Sequence, residues 1–174
     1  RGAVVTLVTG PTKLESTHER IHTVHVTSAN EMFEAVSSRW EEIQIGVFSA
    51  AVADYRPAQQ ATEKIKKSSE GLSIELIKNP DILAWAGLHK SEGQLTIGFA
   101  LETNNADEHA FEKLTRKQAD AIVLNVLEEN EKCFNSDTNK VRIFDVKGLA
   151  CELPLASKTK IAQGIIDFIT TIHV

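Results

Sequence analysis

The sequence has 174 residues, a net charge of −5, and 42% hydrophobic and 25% charged residues, which suits one compact α/β domain. The acidic balance argues against non-specific binding of nucleic acid, and the apolar stretches are too short to span a membrane. Two cysteines, Cys133 and Cys151, are too few for a disulfide framework. They favour a reducing compartment and predict a cytoplasmic protein.

The first third of the chain alternates predicted strands with polar connections. Residues 3–9 are a β-branched run stopped by a Gly-Pro pair, which predicts a buried parallel strand. Residues 21–26 alternate and predict a second strand. Ser28 and Glu31 match a capping box and predict the start of a helix. Residues 43–48 predict the next strand.

A polar, lysine-bearing stretch at 57–69 predicts a mobile excursion between regular elements. Residues 72–77 alternate as an exposed edge strand does. Asn79 before Pro80 predicts a helix start, because a capping amide precedes a first-turn proline. Residues 95–99 predict another buried strand.

The last third predicts a helix over 106–118 and a strand over 121–124 that ends at Asn125. Residues 141–146 and 151–155 are expected to pair as a hairpin. Ser157 caps a final helix with an apolar stripe at Ile161, Ile165, Phe168, Ile169 and Ile172. The alternation of strands and helices predicts an α/β fold whose mostly parallel sheet is covered on both faces, with one antiparallel excursion. Residues 1–174 are interpreted as a single domain.

Ligands of an open α/β sheet bind at the carboxyl ends of its strands, so residues 49–56 (SAAVADYR) are the first candidates. Consecutive alanines leave the backbone accessible to a ligand, and the Asp54 carboxylate is suited to accept a donor or hold a metal ion. The alternative is that the alanines let a helix pack tightly and that Asp54 caps it.

Residues 63–67 (EKIKK) place three lysines in four positions of an acidic protein. A lysine is a mobile point charge that suits a polyphosphate, and a loop lysine is able to close over a ligand. The alternative is a solvated loop with no chemical task.

Two further candidates follow predicted strands. Phe99 either faces a ligand or belongs to the core, and Asn125 either reads a polar ligand or is a turn residue. The sequence lacks the glycine fingerprint for dinucleotides, the phosphate-binding P-loop and the nucleophile-elbow motif, and its histidines have no zinc-like spacing. Hydrolase and zinc-enzyme functions are therefore disfavoured.

Five segments, in this order and spacing, resemble phosphopantothenoylcysteine synthetase in its bacterial form: AAVADYR at 50–56, EKIKK at 63–67, KNPDIL at 78–83, IGFALETNN at 97–105 and FNSDTN at 134–139. The resemblance covers nearly the whole chain. Each segment alone is weakly specific, whereas five in order are strongly specific. In bacteria this synthetase is often fused behind a flavin-dependent phosphopantothenoylcysteine decarboxylase.

The resemblance implies a Rossmann-like three-layer fold and a homodimer. It also implies a ligase that joins 4′-phosphopantothenate to cysteine through an acyl-nucleotide, with CTP favoured over ATP, Mg²⁺ accompanying the triphosphate, and no flavin in this domain. Lys64 is implied as the catalytic lysine that steadies the phosphates. The implied nucleotide- and substrate-binding residues are Ala50, Ala51, Asp54, Phe99 and Asn125. Asp54 is expected on the pantothenate side or near the metal, which the nucleotide otherwise holds.

The family also begins with a further strand and a Gly/Ser-rich phosphate-binding segment that contains an asparagine, and the printed sequence starts after it, at Arg1. We expect a chain that truly lacks this segment to have impaired activity or none. Two other functions fit the same kind of sheet. One is an NAD- or flavin-dependent oxidoreductase, which the absent glycine fingerprint disfavours, and the other is a non-catalytic nucleotide-binding domain.

Overall fold

The computed structural model describes residues 1–59, 61, 63–65, 71–102, 104–126 and 137–173. The chain divides into two compact units. Unit 1 comprises Arg1–Ser38 and Ala51–Asp81, and unit 2 comprises Arg39–Ala50 and Ile82–Val174. The interpretation of residues 1–174 as a single domain stays a prediction.

Unit 1 begins with two parallel strands, β1 (Val5–Thr9) and β2 (Ile21–His25), followed by helix α1 (Ala29–Ser37). The Ser28 hydroxyl accepts a hydrogen bond from the Glu31 backbone N–H at 3.2 Å, so the predicted helix cap is confirmed. The Glu31 carboxylate, however, accepts from the backbone N–H of Thr27 at 2.7 Å, one residue before the cap.

The rest of unit 1 is an excursion whose regular part is small. Strand β4 (Tyr55–Pro57) pairs antiparallel with strand β5 (Leu76–Lys78), and Tyr55 lies opposite Lys78. No residue of either strand is buried. The edge strand predicted over 72–77 is present, but it is shorter and begins later, at Leu76, because β4 has only three residues with which it pairs.

Unit 2 contains a five-stranded sheet whose members, in spatial order, are β3 (Ile45–Phe48), β6 (Leu95–Glu102), β7 (Ala121–Val126), β8 (Thr138–Asp145) and β9 (Gly148–Ser157). The first three strands are parallel, and the last two join as the predicted antiparallel hairpin. Its α-helices are α2 (Ile82–Leu88), α3 (Ala106–Lys117) and α4 (Lys158–Ile172). The predicted α/β class is confirmed.

Side chains on the two faces of this sheet pack into two apolar layers. On β7, Ile122 and Leu124 face α2 and α3 (Ala106–Lys117), whereas Val123 faces α4, and all three are fully buried. The stripe predicted on the last helix fills the second layer, and Ser157 caps that helix as predicted. Helices on both faces of a sheet make unit 2 the predicted three-layer sandwich.

Helix α2 approaches β6 closely because β6 carries a glycine at the point of contact. A β-carbon on Gly98 would collide with the Leu83 side chain and would lie 2.8 Å from Ile122 Cδ1. This glycine belongs to the segment 97–105 that carries part of the family resemblance, and its role in the fold is packing. Within the described part of the chain, no helix is long and apolar enough to cross a membrane.

Candidate functional site

The alanine-rich segment follows the carboxyl end of β3, as predicted. Ala50 is the last residue of its part of unit 2, Ala51 begins the second part of unit 1, and both are exposed. Residues 50–54 contain no helical residue, and Asp54 precedes strand β4. The alternative in which the alanines pack a helix that Asp54 caps is therefore wrong.

Asp54 presents an exposed carboxylate that accepts no hydrogen bond from the residues the structure describes. Its backbone carbonyl accepts from the Asn79 N–H at 2.8 Å, which fixes the main chain below the carboxylate. Among the described residues, no group of three or more His, Cys, Asp or Glu side chains is placed to hold a metal ion. One carboxylate oxygen with phosphate oxygens is a common way for proteins to bind Mg²⁺, so Asp54 fits a metal that arrives with a triphosphate.

Asn79 has a different role from the predicted one. Helix α2 begins at Ile82, so the expectation that Asn79–Pro80 begins the helix is wrong by two residues, about half a turn. The Asn79 amide instead donates to the Ala53 carbonyl at 2.8 Å and accepts from Arg56 Nη1 at 3.0 Å. Bonding to the segment 53–56 holds Asn79 outside the helix that follows.

Lys64 lies in the loop that joins β4 to β5 and is exposed. Within the described ranges its ammonium forms no hydrogen bond or ion pair. The neighbouring Ile65 is also exposed, at 56% of its full area. Lys66 and Lys67, the other lysines of the EKIKK segment, lie outside the described residues. The chemical task predicted for Lys64 stays a prediction.

Phe99 does not end its strand. Strand β6 continues to Glu102, and the half-buried Phe99 ring packs against the apolar layer on the α4 face of the sheet. The Phe99 carbonyl accepts a hydrogen bond from Lys113 Nζ at 2.8 Å. The expectation that Phe99 lies at the carboxyl end of β6 is therefore wrong, and its core alternative gains support. A contact between Phe99 and a ligand stays a prediction.

Asn125 belongs to β7, which extends one residue further than predicted, to Val126. Asn125 is half-buried, and its Oδ1 accepts a hydrogen bond from Asn139 Nδ2 at 2.7 Å. Asn139 Oδ1 in turn accepts from the Lys140 N–H at 2.9 Å. The alternative that Asn125 is only a turn residue is wrong, since it is paired in the sheet with Val141.

Asn139 was not among the predicted site residues, although it ends the FNSDTN segment that contributes to the resemblance. The described part of that segment places it at the start of β8, beside the end of β7. The two hydrogen bonds of Asn139, one from its Nδ2 and one to its Oδ1, determine the orientation of its amide. With Asn125 Oδ1 occupied, the Asn125 NH₂ group is the part of that side chain left to meet another partner. Sequence spacing alone gave no sign of this pairing.

Two more polar pairs lie on the α3 side of the same sheet. Glu102, at the end of β6, is 3.5 Å from His109 Nδ1 on α3. Arg142 on β8 binds Asp107 in the first turn of α3, at 2.6 Å. Both pairs tie α3 to the sheet, and neither was predicted. Arg142 and Asp107 lie 35 residues apart, and Glu102 meets His109 only because α3 packs on β6.

Comparison with known proteins gives consistent matches. Residues 1–172 match the family model described as DNA/pantothenate metabolism flavoprotein C-terminal domain. The coenzyme A biosynthesis bifunctional protein CoaBC of Haemophilus influenzae is 41% identical over 167 residues, which cover 96% of this chain and 41% of that protein. The chain thus spans less than half the length of this curated relative.

Solved structures share the fold. The crystal structure of the C-terminal domain of a CoaBC protein matches with a TM-score of 0.80 and 38% identity, covering 98% of this chain and 75% of that one. A Cab2 mutant in complex with phosphopantothenate-cysteine matches with a TM-score of 0.68 and 19% identity, covering 89% of this chain and 53% of that one. The second match is evidence for the fold alone.

Proposed function

This chain belongs to the DNA/pantothenate metabolism flavoprotein C-terminal domain family, and from that premise we propose that it is a phosphopantothenate–cysteine ligase of coenzyme A biosynthesis. The match of the family model over residues 1–172 is the observation that carries the proposal. The name of the Haemophilus influenzae relative, a coenzyme A biosynthesis bifunctional protein, supports it further.

The proposed reaction has two steps. A carboxylate oxygen of 4′-phosphopantothenate attacks the α-phosphorus of CTP, an O–P bond forms, and pyrophosphate leaves. The amine of cysteine then attacks the acyl carbon, an amide C–N bond forms, and CMP leaves with the carboxylate oxygen while the amine loses a proton. The attacking carboxylate is already ionised at neutral pH, so the first step needs no general base.

The main barrier to the first step is the approach of two anions. Unit charges of like sign 4 Å apart repel by about 1 kcal/mol in water and by about 4 kcal/mol at the lower effective dielectric of a protein surface. We assign the compensating charge to Lys64 and to the Mg²⁺ that accompanies the triphosphate. The exposed Lys64 ammonium, which has no partner among the described residues, supports this role. An exposed lysine in a loop suits an ammonium that moves with the transferring phosphoryl group.

We assign substrate binding to Ala50, Ala51 and Asp54. Alanine side chains leave backbone N–H and C=O groups accessible, and all three residues are exposed. The Asp54 carboxylate binds either phosphopantothenate or the metal ion. By the same resemblance, Phe99 contacts a ligand from β6 and the Asn125 amide donates to one from β7.

The proposal extends to assembly and location. We infer a homodimer, and the excursion of unit 1 supports it, since its exposed apolar residues include Tyr55, Leu76 and Ile77. Exposed apolar patches of this kind often mark protein interfaces. A fused or partner decarboxylase agrees with the word bifunctional in the relative's name. We place the protein in the cytoplasm.

The test is a product analysis with the full-length protein, phosphopantothenate, cysteine and either CTP or ATP. We expect the cysteine adduct, pyrophosphate and CMP in equal amounts, with CTP preferred. Lys64→Ala should abolish pyrophosphate release without lowering the melting temperature, because an exposed loop side chain contributes little to stability. Lys147→Ala, which removes an equal charge from the exposed β8–β9 turn, is the matched control.

Two results would contradict the proposal. If the wild-type protein binds nucleotide but releases no pyrophosphate with either triphosphate, the domain is a non-catalytic binder. If it turns over NADH and releases no pyrophosphate, the oxidoreductase alternative takes its place; a bound flavin alone would be accounted for by a fused decarboxylase.

A further inference from the structure

The strands that frame the Lys64 loop lack an apolar core of their own. Strands β4 and β5 pair over three residues each, and none of the six is buried. A two-stranded ladder without burial is marginal in water, so other interactions must hold the ends of this loop together.

A set of four hydrogen bonds, which we call the Arg56–Asn79 clamp, supplies them. Arg56 Nη1 donates to the Lys78 carbonyl at 2.8 Å and to Asn79 Oδ1 at 3.0 Å. Asn79 donates from Nδ2 to the Ala53 carbonyl and from its backbone N–H to the Asp54 carbonyl, both at 2.8 Å. The residue entering the excursion and the residue leaving it are therefore bonded directly to each other.

The clamp uses both ends of the Asn79 amide, one as acceptor and one as donor. Arg56 is half-buried although its strand neighbours Tyr55 and Pro57 are exposed, so its guanidinium is held in one place. Bonds to a charged donor are worth roughly twice a neutral hydrogen bond. The clamp thus fixes the main chain of Ala53 and Asp54 and closes the loop that carries Lys64.

On the basis of the proposed ligase function, we propose that Arg56 and Asn79 are positioning residues for pyrophosphate release. Neither is required to touch substrate. They hold the backbone that carries Asp54 and the two ends of the Lys64 loop in a fixed frame, so that the carboxylate and the ammonium are presented together. A displacement of about 1 Å in a reacting group is enough to cost roughly a hundredfold in rate.

The experiment measures pyrophosphate release by the full-length protein carrying Arg56→Gln, Asn79→Ala or both. We expect each single variant to lower kcat by about 10- to 100-fold with the KM for CTP changed by less than about threefold. The double variant should lose clearly less than the product of the two single losses, because both substitutions remove the bond between Arg56 and Asn79. Arg116→Gln, on the exposed end of α3, is the control for the lost charge.

A second pair of variants separates positioning from folding. Asn79→Asp retains an acceptor for Arg56 but loses the donor to the Ala53 carbonyl, so its kcat should fall between those of wild type and Asn79→Ala. Arg56→Lys keeps the charge but not the two-bond geometry and should lose nearly as much as Arg56→Gln. A purely structural role would instead lower the melting temperature in step with kcat.

Three outcomes overturn this inference while leaving the ligase intact. In the first, the clamp variants release pyrophosphate at the wild-type rate while Lys64→Ala is inactive. In the second, the losses in kcat of the single variants multiply in the double variant. In the third, Arg56→Gln alone raises the KM for CTP, which would make Arg56 a direct nucleotide ligand. An inactive wild-type protein would overturn the ligase proposal itself.

Discussion

Two antiparallel ladders of this molecule, β4–β5 in unit 1 and β8–β9 in unit 2, are stabilised in opposite ways. The β8–β9 hairpin contributes Val141 and Ile143 to the apolar layer under α4, and both are at most 1% exposed. The β4–β5 ladder has no buried residue and depends on the Arg56–Asn79 clamp. The difference indicates that polar contacts hold the frame of the Lys64 loop, whereas apolar burial holds the β8–β9 hairpin.

The largest expected effect contrasts the two ladders directly. Ile143→Ala should lower the free energy of unfolding by about 2–5 kcal/mol, because it empties a fully buried position between the sheet and α4. Leu76→Ala on β5, which is 55% exposed, should change it by less than about 0.5 kcal/mol.

Urea unfolding followed by tryptophan fluorescence measures the first value, since both tryptophans of the sequence, Trp40 and Trp85, lie in unit 2. Far-UV circular dichroism measures the second, because it also reports on unit 1. Equal losses for the two variants would mean that the excursion is held by apolar burial after all.

The next prediction tests whether Gly98, in the segment 97–105 of the family resemblance, matters for packing and not for the site. Gly98→Ala should cost about 1–3 kcal/mol, because the added methyl group collides with Leu83 across the β6–α2 contact. The double variant Gly98→Ala/Leu83→Ala should be more stable than the sum of the two single losses predicts. Strict additivity, measured by the same fluorescence transition, would show that the collision is relieved elsewhere.

A smaller effect concerns the hydrogen-bonded amides of Asn125 and Asn139 in unit 2. Asn139→Ala removes one hydrogen bond from Asn125, worth about 1 kcal/mol, and should slow ligation about fivefold. Asn139→Asp should lose at least as much, because Asn125 must then turn its NH₂ group toward the carboxylate and present its oxygen instead.

The measurement is the rate of CMP release at saturating cysteine. Gln163→Ala, an exposed amide on α4, is the matched control. Wild-type rates in both Asn139 variants would show that the orientation of Asn125 is unimportant for the reaction.

Local signals predicted most of the secondary structure. The strands of the sheet, the caps at Ser28 and Ser157 and the β8–β9 hairpin follow from runs of β-branched residues, capping side chains and a Lys-Gly turn, all of which act over a few residues. The strand ends were less predictable. The strand is predicted to end at Phe99, yet Ala100 and Leu101 continue its apolar run and β6 pairs with β7 as far as Glu102.

The polar pairs of the candidate site could not be predicted, because each one joins residues far apart in sequence. Asn79 has the local signature of a helix cap, but its bonds to Ala53 and Arg56 span more than 20 residues. Asn125 and Asn139 meet only because β7 and β8 are neighbours in the sheet. Sequence patterns indicated which segments matter, and tertiary pairing determines what their side chains contact.

The smallest expected effect tests whether the polar bonds of unit 1 depend on pH. Hydrogen bonds from the backbone N–H and the hydroxyl of Thr27 lower the pKa of Glu31 below the ordinary value for a glutamate. Because the pKa of Glu31 is lower in the folded state, its contribution to stability is fully present when the pH is above the ordinary pKa of a glutamate. It is lost as the pH falls through the lowered pKa.

The Thr27 amide proton, which lies on this bond, is the local probe. Its NMR shift should titrate with a midpoint below that of an ordinary glutamate, and Glu31→Gln should abolish the titration while shortening α1 slightly at neutral pH. A midpoint at or above the ordinary value would mean that the bond to Thr27 is not maintained in solution. In that case polar contacts would contribute less to the stability of unit 1 than we propose from its comparison with the buried five-stranded sheet.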